Sequence, residues 1–312
     1  MSIQYGQYRD PVLTIAHLSD PHLLIDSLQY DAVDTLANFR QTMQRLSQVP
    51  TPPQALVFTG DLADKAQPEA YRALKAMVEP VAAEFGAQVI WTMGNHDERA
   101  AYSKELFGEE SLDNQDRVYD VSGLRVIAVD TSVPGYHYGE LSDEQLDWLA
   151  DVLSEPAPLG TVLAMHHPPI PVPMTPLAAI IELYDQHKLE AVLTGTDVRA
   201  ILGGHFHFTS SSTFAGIPVH VASASCYTMD PAPDDRLISS VDGHQAFTML
   251  HLYDDRAAFS VVPVFPAPEV NFEPTSSRSL VEGLTFEERR EILAKKAVDI
   301  AALKGEAVAY KS

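Results

Sequence analysis

Five short stretches of this chain place donor side chains behind a glycine or at the end of an apolar run. They hold Asp20 and His22, then Asp61, then Asn95, His96 and Asp97, then His166 and His167, and finally His205 and His207. A mixture of carboxylate, amide and imidazole suits Mn, Fe or Zn better than Mg or Ca. Asp20, His22, Asp61, Asn95, His166, His205 and His207 are the candidate ligands. That set is too large for one open catalytic ion and fits two. Paired ions need a bridging carboxylate, and Asp61, alone after Gly60, is the candidate. Two divalent ions, less Asp20, Asp61 and one hydroxide, leave a net charge of about +1, because Asn95 and neutral imidazoles cancel nothing. A phosphodiester monoanion matches that charge, and a carboxylate at position 95 would remove it.

Something must bring these distant stretches together. Each follows a short apolar or β-branched run: VLTIAHLS, ALVFTG, QVIWTMG, TVLAMHH and AILGGH. Between the runs lie amphipathic segments such as DAVDTLANFRQTMQRL and PEAYRALKAMVEPVAAEF. The alternation predicts an α/β fold with mostly buried strands. In open α/β sheets, ligands bind beyond the carboxyl ends of the strands, so the donors are expected along one edge. Residues i and i+2 of an extended segment point the same way, which predicts Asp20 with His22, and His205 with His207, as paired donors. Gly60, Gly94 and Gly204 suit sharp turns and close backbone approach.

After residue 210, STFAGIPVHVASAS, QAFTMLHLY and AAFSVVPVF read as strands with no helix between them, predicting a second, more antiparallel sheet. Residues 1–264 are expected to form the catalytic domain and 265–312 an extension, a proline-rich linker followed by a helix. Thr285 and Glu288 form the expected capping box of that helix, Gly305 its stop, and Phe286, Leu293, Ala297 and Ile300 its apolar face.

The 312 residues carry 43 acidic and 21 basic side chains, a formal charge of −22. Such a surface repels a nucleic-acid backbone, so no nucleic acid is expected as partner. Any anion site must carry strong local positive charge. No apolar run approaches the roughly 20 residues that span a bilayer, so no transmembrane segment is expected. The opening MSIQYGQYRDP lacks the apolar core of a signal peptide. One cysteine, Cys226, allows no disulfide framework. These features fit a cytoplasmic protein.

The blocks Asp-x-His, Gly-Asp, Gly-Asn-His-Asp, His and Gly-His-x-His, in that order between residues 12 and 264, resemble the signature of the calcineurin-like metallophosphoesterases. The wording around them, VFTGDLADK, DTSVPGYHYGE, HHPPIP and GTDVRAIL, resembles most the actinobacterial class III cyclic nucleotide phosphodiesterases. The resemblance implies a four-layer α-β-β-α sandwich of two mixed sheets flanked by helices, hydrolysis of 3′,5′-cyclic AMP (cAMP), and often a homodimer. It implies Asp20, His22, Asp61 and His207 around one ion, and Asp61, Asn95, His166 and His205 around the other. A hydroxide shared by the ions would attack phosphorus, His96 would assist the leaving oxygen, and Asp97 would orient the His96 ring.

Asn95, His96, Asp64 and His137 are the expected substrate-facing residues. Tyr136 and Tyr138, beside His137, are read as stacking or packing aromatics. A broader phosphodiesterase or phosphomonoesterase on another small ester is the alternative function. A non-catalytic scaffold is a weaker one, since a scaffold does not need the whole ligand set. His17, His167, His187, His220, His244 and His251 read as structural histidines, and Cys226 as a buried apolar side chain.

Overall fold

The structure is a computed structural model that describes residues 4–174 and 176–296. The expected helix positions Ala297, Ile300 and Gly305 lie outside the described residues. The chain divides into two compact units, Val12–Phe265 and Met1–Pro11 with Pro266–Ser312.

In the larger unit, β1 (Leu13–Leu18), β2 (Ala55–Thr59) and β3 (Gln88–Thr92) run parallel. Their connections carry α1 (Thr35–Leu46) and α2 (Pro68–Phe85), and α3 (Arg99–Phe107) follows β3. Parallel neighbours need such crossovers. The hairpin of β4 (Arg117–Val121) and β5 (Leu124–Val129) starts a second sheet. That sheet continues in parallel through β6 (Thr161–Met165) and β7 (Val198–Gly203), with α4 (Asp143–Leu153) and α5 (Gln186–Leu193) between them in sequence. Local signals start and stop these helices. Ser142 and Gln145 form a capping box at α4, and Gly86 ends α2 in a left-handed conformation.

The longer of the later strands do not form a sheet of their own. The hairpin β8 (Ser210–Phe214) and β9 (Ile217–Val221) joins the second sheet, with β9 parallel to β7. A short pair, β10 (Thr228–Met229) and β11 (Ser240–Val241), follows. The hairpin β12 (Ala246–Leu252) and β13 (Ala257–Pro263) joins the first sheet, with β12 antiparallel to β1. The strand orders are β13-β12-β1-β2-β3 and β4-β5-β6-β7-β9-β8. The β8–β9 hairpin thus extends a mixed sheet, and the β12–β13 hairpin turns a parallel sheet into a mixed one. The expectation of a separate antiparallel sheet is corrected, because edge strands β1 and β7 still offered unpaired backbone to the returning chain.

The two-residue alternation of the strands sorts side chains into layers. Leu13, Ile15, Ala55, Val57 and Ile90 share a core with Val126, Ala128, Val162, Ala164, Ala200 and Leu202, so the two sheets face each other. The opposite faces pack under helices: Ala16, Leu18, Leu56 and Phe58 with Phe39, Tyr71 and Leu74, and Ile127, Leu163 and Ile201 with Leu146, Leu149 and Leu189. The result is the four-layer sandwich. Two imidazoles inside it are held by hydroxyls: His17 Nε2 lies 2.9 Å from Thr59 Oγ1, and His220 Nε2 2.9 Å from Thr248 Oγ1.

In the smaller unit, α6 (Arg278–Gly283) and α7 (Phe286–Glu288) follow a proline-rich stretch. The Thr285–Glu288 capping box is formed, and the chain continues as a π-helical turn through Arg289–Leu293.

Candidate metal centre

Every candidate donor lies within four residues of the carboxyl end of β1, β2, β3, β6 or β7. These strands are parallel within their sheets, so their ends share an edge. The backbone there is unusual. Asp20, His22, Asp61, His205 and His207 have φ of 49°, 41°, 50°, 73° and 56°. Residues with a side chain rarely adopt this left-handed region, and such strain gathers where function requires it. The pairs Asp20/His22 and His205/His207 therefore do converge, but through tight left-handed turns and not along an extended strand. Close approach explains one glycine directly: a Cβ on Gly94 would sit 2.2 Å from the Asp61 backbone nitrogen.

The donors meet around one oxygen. Asp61 Oδ2 lies 3.2 Å from His22 Nε2 and 3.3 Å from His166 Nε2. On the first side, His22 Nε2 is 3.1 Å from His207 Nε2, which is 3.4 Å from Asp20 Oδ1. On the second, His166 Nε2 is 3.0 Å from Asn95 Oδ1 and 3.2 Å from His205 Nδ1. Asp20, His22, Asp61 and His207 together form a group whose ligand atoms all lie within 4.8 Å of one another.

The outer nitrogens decide what these rings can do. His22 Nδ1 lies 3.1 Å from Asp64 Oδ1, His166 Nδ1 2.7 Å from the Thr59 carbonyl, His205 Nε2 2.9 Å from the Ile181 carbonyl, and His207 Nδ1 3.0 Å from the Tyr227 carbonyl. Carboxylate and carbonyl oxygens only accept, so each outer nitrogen donates. In a neutral ring the inner nitrogen then carries a lone pair. With neutral rings, the inner nitrogens of His22 and His207, 3.1 Å apart, and those of His166 and His205, 3.2 Å apart, would face each other as acceptors. Asn95 donates its Nδ2 to His137 Nδ1 at 2.9 Å, which turns Oδ1 toward His166. Protons or metal cations satisfy such facing acceptors, and a ring whose far N–H is held by an acceptor is the usual arrangement of a metal-ligating histidine. The residues present fit two metal ions.

Electrostatics agree. Burial opposes charge on Asp61, yet His166 and His22 on either side hold its carboxyl well below the usual range. Burial likewise opposes charge on His166, but Asp61 outweighs it and moves that ring up to about 9. His22 is raised well above its ordinary value against burial, chiefly by Asp61 and then Asp64. In the metal-free protein these rings hold protons that an ion must displace. Metal uptake at pH 7 is therefore expected to release protons, and affinity to weaken as pH falls through about 9 and below. Calorimetric titration with Mn²⁺ in two buffers of different ionisation enthalpy reads the release directly; identical heats in both would show none.

His96 N donates to Asp61 Oδ1 at 2.8 Å, and its ring lies 4.6 Å from that of His22. Its Nδ1 is held by the Asp64 carbonyl at 3.0 Å, with Asp64 Oδ1 at 3.4 Å. Asp97 does something other than orient that ring. Its oxygens accept from the N–H groups of Leu62, Ala63 and Gly94 and from the Tyr71 hydroxyl, so it clamps the two ligand loops together through their backbones. The role expected of Asp97 falls to Asp64. His167 places Nδ1 2.8 Å from Thr131 Oγ1 and Nε2 3.1 Å from the His137 carbonyl, which occupies both nitrogens. The sequence reading missed Gln29, whose Nε2 donates to Asp64 Oδ1 at 3.0 Å, and the carbonyls of Thr59, Ile181 and Tyr227. Gln29 stands in no motif, and a carbonyl leaves no mark on side-chain identity.

The sequence profile of the calcineurin-like phosphoesterases matches residues 13–208. A probable cyclic nucleotide phosphodiesterase of Rhodococcus erythropolis is 51% identical over 85% of this chain and 88% of its own length. A cAMP/cGMP dual specificity phosphodiesterase of Mycobacterium tuberculosis is 47% identical over 84% of this chain and 83% of its own. Among solved structures, a dimetal phosphatase from Danio rerio superposes with a TM-score of 0.59 at 16% identity, covering 82% of this chain and 98% of that one.

Proposed function

We infer the reaction from one premise: this chain belongs to the calcineurin-like phosphoesterase family. It hydrolyses 3′,5′-cyclic AMP to 5′-AMP. The observation that carries this reading is the set of imidazoles around Asp61, with outer N–H groups committed and inner lone pairs converging. Asp20, His22, Asp61 and His207 would hold one ion, and Asp61, Asn95, His166 and His205 the other. When bound, the pair supplies a water activated near neutral pH and neutralises charge on the phosphoryl group. Mn, Fe or Zn suits the mixed donors.

The remaining steps belong to side chains. Burial opposes charge on His96, but Asp64 and Asp61 raise its pKa. That shift favours the protonated ring. With Nδ1 held by Asp64, Nε2 is left to donate to the departing ribose 3′-oxygen. Asn95 and His137, joined by their hydrogen bond, flank His96 and present polar groups to the phosphate. The relatives named for cyclic nucleotides support the substrate class. The acidic surface favours a small ester over a polymer.

Among the described residues no helix is long and apolar enough to cross a membrane. A cytoplasmic location, suggested by the single cysteine, and a homodimer, implied by the family resemblance, complete the reading. So does the division into a catalytic domain, 1–264, and an extension, 265–312. The test is a panel assay on metal-defined protein. The expected result is turnover of 3′,5′-cAMP well above that of 2′,3′-cyclic nucleotides and phosphomonoesters. Strong turnover of another ester without cleavage of 3′,5′-cyclic nucleotides would replace this substrate.

A further inference from the structure

The loop between β1 and α1 carries an aromatic residue in a costly position. Tyr30 is 67% exposed and has φ +53°, and Asp31 after it has φ +56°. A bulky side chain is seldom found in left-handed backbone, and burial does not compensate here. The tip is nonetheless fixed. Gln29 and Val33 exchange two backbone hydrogen bonds of 2.9 Å across the turn. Gln29 also donates to Asp64, the residue that holds His22 and His96.

From its other side Tyr30 leans on the metal centre. Its hydroxyl lies 3.2 Å from that of Tyr227, and the two rings meet edge to face with centroids 5.4 Å apart. Tyr227 is buried, its ring 4.6 Å from that of His207 and 6.1 Å from that of His22. An unbroken aromatic path thus runs from the first-ion ligands to an exposed face. That face lies one ring beyond Tyr227, whose own ring abuts His22 and His207. Strain held in place by hydrogen bonds, around a side chain that gains little from the fold itself, points to something that lands on it.

We propose that Tyr30, braced by Tyr227, is the stacking platform for the base of the bound nucleotide, and hence the residue through which the enzyme senses that a base is present. This rests on the cyclic-nucleotide reading above. Aromatic stacking tolerates any base, since each has a π-face. Tyr30 therefore separates nucleotides from base-free esters more than it separates one purine from another. Another exposed aromatic group, Tyr136, is committed differently: its ring lies 5.2 Å from Tyr138, which packs 4.6 Å from Tyr184 and ties two loops together.

The test uses the full chain loaded with Mn²⁺, as wild type, Tyr30→Ala, Tyr30→Phe and Tyr136→Ala. Substrates are 3′,5′-cAMP and a base-free ribose 3′,5′-cyclic phosphate. Binding is read from the emission of 2-aminopurine riboside 5′-monophosphate, which falls when the base stacks. In Tyr30→Ala, KM for cAMP is expected to rise about tenfold with kcat within twofold, the base-free ester to be unaffected, and the quenching to disappear. Tyr30→Phe keeps the ring and is expected to keep the quenching. Equal effects on both substrates, a change in kcat alone, or quenching lost in Tyr136→Ala and retained in Tyr30→Ala would each overturn the proposal. Quenching through Tyr30 without cyclic-nucleotide turnover would sustain the platform and remove the reaction assigned above.

Discussion

Asp61→Asn is expected to lower kcat on 3′,5′-cAMP by about 10³-fold and to leave less than the full complement of metal bound. The reason is the position of one atom. Asp61 Oδ2 is the only oxygen of the set placed beside rings from both halves, 3.2 Å from His22 and 3.3 Å from His166. Asparagine keeps the shape, and its Oδ1 can still accept from the His96 backbone N–H, as Asp61 Oδ1 does at 2.8 Å. What it removes is the charge that holds two cations close together. It also removes the partner that raises His22 and His166, so those rings give up their protons more readily. Single-turnover kinetics and metal analysis on the same samples measure both effects. Two ions bound with near-normal turnover would show that Asp61 bridges nothing.

His96→Ala is expected to lower kcat on cAMP by between about 10² and 10⁴-fold, the usual contribution of a positioned acid. The loss should depend on the leaving group. A ribose alkoxide needs a proton as it departs, whereas 4-nitrophenolate does not. On a 4-nitrophenyl phosphodiester the same variant should lose about tenfold or less. The pH profile supplies a second signature. If His96 is the acid, with its pKa raised by Asp64 and Asp61 against burial, wild-type activity is expected to fall as pH rises through that pKa. The variant should lack this alkaline limb. Equal losses on both substrates with an unchanged profile would make His96 a phosphate-binding group and not an acid.

Much of this site could be read from the chain because its logic is local. Asp20, His22, Asp61, Asn95, His166, His205 and His207 each follow a buried run, and parallel strands deliver their carboxyl ends to one edge. Glycine at 60, 94 and 204 marked the tight turns in advance. What stayed hidden depends on tertiary contact. Asp97 precedes no apolar run and looked like a partner for its neighbour His96, but buried N–H groups of Leu62, Ala63 and Gly94 needed an acceptor, and it serves them. Gln29 reaches Asp64 from a loop 35 residues away. The C-terminal hairpins were visible as strands, yet their assignment to different sheets depends on which edges remain open. The left-handed backbone at Asp20, His22, His205 and His207 was also invisible, since the extended alternative predicts the same convergence.

Two ions are expected, one on either side of Asp61. Anomalous diffraction from crystals grown with Mn²⁺, recorded on both sides of the Mn absorption edge, tests it most directly. The expected map has two peaks about 3.5–4 Å apart, one against Asp20, His22 and His207 and one against Asn95, His166 and His205, with Asp61 touching both. A single peak, or peaks away from these side chains at saturating metal, would contradict it.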